Sequence, residues 1–185
     1  MVPHFVIRDV RSEGDADAIA AVHAESWRTA YRGILSDAYL DGPIDAERRR
    51  LWRARFADQA PATVVACNGD MVVGFACAFA EEDTLWGSRI DNLHVLPSHQ
   101  RQGLAPRLLY AVADRLNAMA PEVPVYLWVY VVNQAARATY ESLGGRLTER
   151  GLRTGADGTT APALRYTWPT PTAIGLEEFG ASSHL

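Results

Sequence analysis

Cysteine is scarce in this chain. Only Cys67 and Cys77 occur, each inside an apolar run and neither in a CxxC or Cys/His cluster. Neither a disulfide framework nor a zinc site is therefore encoded, and a reducing, cytoplasmic compartment is the expectation. Long hydrophobic runs are also missing. No apolar stretch approaches the roughly 18 residues of a membrane helix, and Met1 to Arg11 lacks the basic start and apolar core of a signal peptide, so no membrane association is expected. Basic charge is in deficit as well: 18 Lys and Arg stand against 22 Asp and Glu, a net charge of -4. No global field draws the chain to nucleic acid or anionic lipid, and any anion site must be local. There is no GxxxxGK(S/T) loop, and Gly103 has no glycine partners for a GxGxxG fingerprint. The main support for nucleotide hydrolysis and for hydride transfer is thus removed.

What is present is an ordinary globular composition. The chain has 185 residues with 48% hydrophobic and 22% charged, which suits one domain burying about 70% of its extended surface. No internal repeat occurs. The domain is expected over residues 1–168, followed by a flexible tail over 169–185, where Pro169 to Thr172 leads into Gly180 to Ser183.

Phe5 to Val10 alternates like a short strand, and Ser12 to Asp15 offers a turn and an N-cap. A helix over Ala16 to Arg28 places Ile19, Val22, His23 and Ser26 on one stripe. Asp45 to Ala57 reads as a second helix, buried through Leu51, Trp52 and Phe56, with Arg48, Arg49, Arg50 and Arg53 on its wet face. Thr63 to Cys67 and Met71 to Ala80 are strands of a hairpin around Asn68-Gly69-Asp70, a turn at Glu81 to Asp83 follows, and Thr84 to Leu96 is a third strand. After the loop Ser98 to Gly103, apolar residues from Leu104 to Met119 repeat at helical spacing. Val125 to Val132 is a strand, Asn133 to Leu143 a helix, and Arg146 to Thr154 with Ala163 to Trp168 a closing hairpin. The pattern indicates an α+β domain with a mixed sheet.

A strand, a proline, a glycine loop and a helix N-terminus in succession form an anion device, because free N–H groups and the helix dipole face the turn. Here the order is Leu93-His94-Val95-Leu96-Pro97, then Gln100-Arg101-Gln102-Gly103-Leu104-Ala105. These residues resemble the pyrophosphate loop of the GNAT superfamily of N-acetyltransferases, Gln/Arg-x-x-Gly-x-Gly/Ala, after its apolar-x-Val-x-Pro strand. The later motif Asn-x-x-Ala-x-x-aromatic-Tyr-x-x-x-Gly is met by Asn133, Ala136, Thr139, Tyr140 and Gly144. The three motifs span about Arg89 to Arg146; Trp27 to Leu40 looks like a bacterial branch of the family.

The resemblance implies a mostly antiparallel sheet of about seven strands, flanked by helices, with one splayed parallel pair. It also implies acetyl-CoA as co-substrate and no metal. Pantetheine would add to the strand edge at Leu93 and Val95 beside His94, in the manner of a β-strand. The diphosphate would fall on the N–H groups of Arg101, Gln102, Gly103, Leu104 and Ala105, with Gln100, Pro106, Asn133, Ala136 and Tyr140 completing the cofactor side. Tyr140 is the expected general acid for the departing thiolate. Trp27, Tyr31 and Trp128 are expected to wall the acceptor, a small-molecule amine or a protein N-terminus; homodimerisation stays open.

Two positions depart from the family pattern. Pro106 stands where Ser or Thr is common and lacks an N–H, which proline tolerates in a first helical turn. Arg89 occupies the place of the usual glutamate base. Asp91, two residues on, is the expected substitute as base or as holder of a water, although Arg89 beside it favours an orienting role. Under simple alternation His94 faces away from Asp91 and reads as a packed histidine; a bulge would reverse that. The expected activity is acetyl transfer to a primary amine by direct attack. The alternatives are a non-catalytic acyl-CoA-binding protein on the same fold and a nucleotide-phosphate binder.

Overall fold

The computed structural model describes residues 5–58 and 61–175. In chain order it contains β1 (Phe5–Asp9), α1 (Glu13–Ala30), α2 (Asp37–Leu40), α3 (Ile44–Asp58), β2 (Ala62–Asn68), β3 (Met71–Asp83) and β4 (Gly87–Val95). Next come α4 (Leu104–Met119), β5 (Val125–Tyr130), α5 (Gln134–Ser142), β6 (Arg146–Thr154) and β7 (Thr160–Trp168). All seven strands join one sheet in the order β1-β2-β3-β4-β5-β7-β6. Every neighbouring pair is antiparallel except β4 and β5. Among the described residues no helix is long and apolar enough to cross a membrane.

Both faces of the sheet are covered, and the covering helices follow from their sequence stripes. Leu104, Leu108, Leu109, Val112 and Leu116 of α4 bury against β2, β3, β5 and β7, each side chain contributing about 1.5–3 kcal/mol of apolar burial. On the other face α1 supplies Ala16, Ile19 and Val22, and α3 supplies Trp52, against Val65, Phe75 and Cys77. Ser12 caps α1 as its position suggests, accepting from the Asp15 N–H.

Several elements differ from the sequence reading. β3 runs on through Glu81, Glu82 and Asp83 instead of turning there, because Asp83 pairs with Gly87 and Glu82 forms an ion pair with Arg89. The turn is Thr84 to Trp86, closed by the Asp83 carboxylate accepting from the N–H groups of Leu85 and Trp86. Gly87 has φ +81°, and a Cβ there would lie 2.2 Å from the Pro124 carbonyl oxygen, so only glycine starts β4 at this point. Arg48 is not on a wet face: it is buried, with its guanidinium 4.6 Å from the Trp27 ring and paired with Glu47. The segment expected to leave the core at Pro169 instead docks onto it. A 3₁₀ turn at Pro171–Ala173 delivers Ile174 into the α4 cluster, and Gly175 N–H donates to the Leu143 carbonyl. Residues 176–185 of the expected tail lie outside the described residues.

Candidate active site

β4 and β5 pair only at Ser88 with Val125 and Arg89 with Tyr126, then separate. The divergence opens a cleft of about 1180 Å³ that runs from the start of α4 to the loop after α1. On the far side of β4 the Leu96 N–H donates to Val73 O at 2.8 Å. Antiparallel alternation therefore turns the backbone polar groups of His94 toward β3 and those of Leu93 and Val95 toward the cleft. Gln100 Nε2 donates to the Val95 carbonyl at 3.1 Å and ties the following loop to the strand end.

That loop presents donors. Arg101 (φ +58°) and Gly103 (φ +72°) both adopt the left-handed region, and Gly103 is the N-cap of α4. Among the described residues the N–H groups of Arg101 to Ala105 have no backbone acceptor. A Cβ on Gly103 would meet nothing within 4 Å, so the space before the helix is open. Unpaired N–H groups, an open approach and a helix N-terminus suit a diphosphate, and the residues present fit coenzyme A. Pro106 sits in the first turn of α4, where its missing N–H breaks no intrahelical bond.

Across the cleft, Asn133 caps α5, its Oδ1 accepting from Ala136 N–H at 3.2 Å. This directs Tyr140 inward. Its ring packs 6.1 Å from Tyr166 and 6.4 Å from Trp168, and burial pushes the phenol up to about 12. The hydroxyl has no hydrogen-bond partner among the described residues, although Tyr140 lines the cleft. Ala136, Trp27, Tyr31 and Trp128 line it too. Tyr31 lies 5.5 Å from Tyr130 in an edge-to-face pair, and the guanidiniums of Arg153 and Arg165 lie 5.3 and 4.6 Å from the Trp128 ring.

The α1/α3 side of β4 departs from simple alternation. Cys77 pairs with Asn92 but Ala78 with Ile90, so Asp91 is a bulge residue. Before and after the bulge, Ile90, Leu93 and Val95 pack toward α4. Asp91, Asn92 and His94 consequently share the α1/α3 face. Asp91 accepts from Arg55 at 2.8 Å and is paired with Arg89, which is also paired with Glu82. Arg55 donates to Asn92 Oδ1 at 3.0 Å as well. Both carboxylate oxygens of Asp91 are thus already engaged by guanidiniums.

His94 is buried against α1, where its Nδ1 lies 2.9 Å from Ser26 Oγ. Its ring stacks on His23 at 4.8 Å, and His23 Nδ1 accepts from the Trp52 indole N–H at 2.9 Å. Burial lowers His94 to about 4 and puts His23 well below the ordinary imidazole value, so both are neutral. The reading of His94 as turned away from Asp91 is overturned by the bulge. Ser26 and His23 were visible on the α1 stripe, but only the fold brings them to position 94.

The sequence model of the Acetyltransferase (GNAT) family matches residues 22–145. The chain belongs to this family. The probable N-acetyltransferase Rv2775 of Mycobacterium tuberculosis is 30% identical over 135 residues, covering 69% of this chain and 72% of that protein. The uncharacterized N-acetyltransferase YuaI of Bacillus subtilis is 28% identical over 160 residues, covering 79% and 90%. Among solved GNAT structures, the putative acetyltransferase yncA of Salmonella typhimurium with its cofactor acetyl-CoA superposes with a TM-score of 0.66 at 19% identity, covering 98% of this chain and 99% of that one. PaiA N-acetyltransferase of Thermoplasma acidophilum in complex with coenzyme A gives 0.65 at 17% identity, covering 86% and 98%. The seven-stranded mixed sheet with its single parallel pair is the GNAT fold.

Proposed function

We propose that this GNAT protein transfers acetyl from acetyl-CoA to the primary amine of a small molecule, by direct attack in a ternary complex. The observation that carries the reading is one cleft holding three things: the free edge of β4, the unpaired N–H groups before α4, and the unpartnered phenol of Tyr140. Leu93, His94 and Val95 would border pantetheine. The N–H groups of Arg101 to Ala105 would cradle the diphosphate, with Gln100 and Pro106 flanking them, and Asn133 and Ala136 would form the opposite rim. Acetyl-CoA supplies the activated acyl group. A backbone N–H near Val95 polarises the thioester carbonyl, and Tyr140 delivers a proton to the departing sulfur. Cys77 is a poor nucleophile for an acyl-enzyme, since burial pushes its thiol up to about 11; Cys67 is buried as well. The reading calls for no metal.

A small acceptor is favoured by the contacts that bridge the far end of the cleft. Ser36 N–H donates to Asp157 Oδ2 at 2.7 Å and Thr159 Oγ1 to Ile34 O at 3.2 Å, latching the β6–β7 hairpin onto the loop after α1. A Cβ on Gly155 would lie 2.3 Å from Leu35, so the two segments close directly on each other. Trp27, Tyr31 and Trp128 wall the space beneath. Incubation with acetyl-CoA and a panel of small amines and peptides should yield an acetylated small amine; acetylation of peptide N-termini alone would reverse the acceptor assignment.

Asp91 serves as an orienting and electrostatic group in this scheme. Asp91→Asn is expected to lower kcat roughly tenfold while leaving acetyl-CoA affinity intact. A variant that keeps both kcat and the acidic limb of kcat/KM would remove Asp91 from the reaction.

A further inference from the structure

We infer that His94 is the group that takes the proton from the acceptor amine, with Ser26 as its positioning residue. The inference deepens the acetyltransferase reading and rests on it. Three observations lead to it. Position 89, where the family pattern places a glutamate, is Arg89, and its guanidinium is committed to Glu82 and Asp91. Asp91, the carboxylate on the same strand, is held by Arg89 and Arg55 together. The bulge at Asp91 then turns His94 onto the acceptor face, between the two cleft-facing backbone positions at Leu93 and Val95.

The imidazole is set up for this role by its contacts. The role uses the tautomer in which Nδ1 donates to Ser26 Oγ, 2.9 Å away, which leaves the lone pair on Nε2, an atom with no hydrogen-bond partner among the described residues. His23 contrasts with it: Trp52 can only donate, so His23 Nδ1 is an acceptor and its Nε2 carries a proton, buried and without a partner. His23 is therefore a sealed packing group, stacked beneath His94, while His94 lines the cleft with Tyr31 edge-on at 6.4 Å.

In the step itself His94 Nε2 takes one proton from the bound ammonium, and the neutral amine nitrogen then forms a bond to the thioester carbon. The C–S bond breaks, sulfur takes the proton of Tyr140, and the second proton shed by the nitrogen restores the Tyr140 phenol. The imidazolium so formed faces a mixed set of groups. Asp91 on its own strand favours it, whereas Arg48 on α3 opposes it. Arg55 on α3, His23 and Ser26 on α1, Tyr31 at the C-cap of α1, and Arg89 on β4 are the other polar groups near this face. Product release returns the proton to solvent.

His94→Ala in the full chain tests the assignment, measured with saturating acetyl-CoA and the best amine of the panel. The expected result is a kcat lower by roughly 10²- to 10⁴-fold, with acetyl-CoA affinity unchanged. The lost rate should return with added imidazole, and should rise about tenfold per pH unit as solution supplies the neutral amine. Wild-type kcat should stay flat down to near pH 5, because burial keeps His94 neutral there. If His94→Ala does not fold, His94→Gln gives the same pH comparison, and Ser26→Ala should show a smaller loss with the same pH signature. A folded variant at wild-type kcat, or a loss that neither imidazole nor pH restores, overturns the assignment alone. A wild-type protein that binds acetyl-CoA but acetylates no amine overturns the acetyltransferase reading, and this assignment with it.

Discussion

Gly103→Glu is expected to weaken acetyl-CoA binding by about 100-fold or more, since like charges brought together in a binding site cost several kcal/mol and each 1.4 kcal/mol is tenfold. The new carboxylate would project into the open space before α4, where the unpaired N–H groups of Arg101 to Ala105 converge. The backbone adds a second effect. At φ +72° any side chain is strained by roughly 1–2 kcal/mol, so the variant should also melt earlier. Gly103→Ala separates the two: it carries the same strain without the charge. Calorimetric titration should therefore find affinity largely kept in Gly103→Ala and lost in Gly103→Glu, at matched melting temperatures. Equal affinity in both would place the diphosphate elsewhere.

Tyr140→Phe carries the second large effect. It removes one hydroxyl that has no partner among the described residues, so packing against Tyr166 and Trp168 should survive and the melting temperature should barely move. The expected loss is in kcat, roughly 10- to 1000-fold, the range for a positioned general acid. The direction of its titration matters. Burial raises the phenol to about 12, so it stays protonated through neutral pH and holds its proton until the thiolate demands it. A basic limb of the rate profile near pH 9 would therefore belong to another group. Full activity in Tyr140→Phe, under conditions where chemistry limits turnover, would assign the residue to the core.

The parts of the fold that could be read from the chain are those governed by local chemistry. Asn68-Gly69 turns the β2–β3 hairpin with Gly69 at φ +58°, Ser12 and Asn133 cap the helices they precede, and the Leu104 to Leu116 stripe is the buried face of α4. The glycine loop before α4 was legible for the same reason: a strand edge, a glycine and a helix start lie close together in sequence. The α1/α3 face of β4 was not. Strand alternation has a period of two, and one extra residue at Asp91 reverses every assignment beyond it. A bulge leaves no sequence signal as plain as a glycine turn. Arg48 was misplaced because a helix-face argument sees charge but not the Trp27 ring that covers it. The docking of Ile174 depends on a pocket that α4 and Leu143 form only in three dimensions.

The most direct test of acetyl transfer by direct attack follows CoA release and protein mass together. The chain contains no lysine, so an acetyl group gained by the protein would mark a thiol, a hydroxyl or the amino terminus rather than adventitious lysine acetylation. The protein should be mixed with acetyl-CoA first without acceptor and then with the amine panel. Direct attack predicts no mass gain and no CoA release in the first case, then stoichiometric CoA and acetylated amine in the second. Acetyl-CoA that binds but is never consumed with any amine, or an acetylated protein formed before the amine is added, would contradict it.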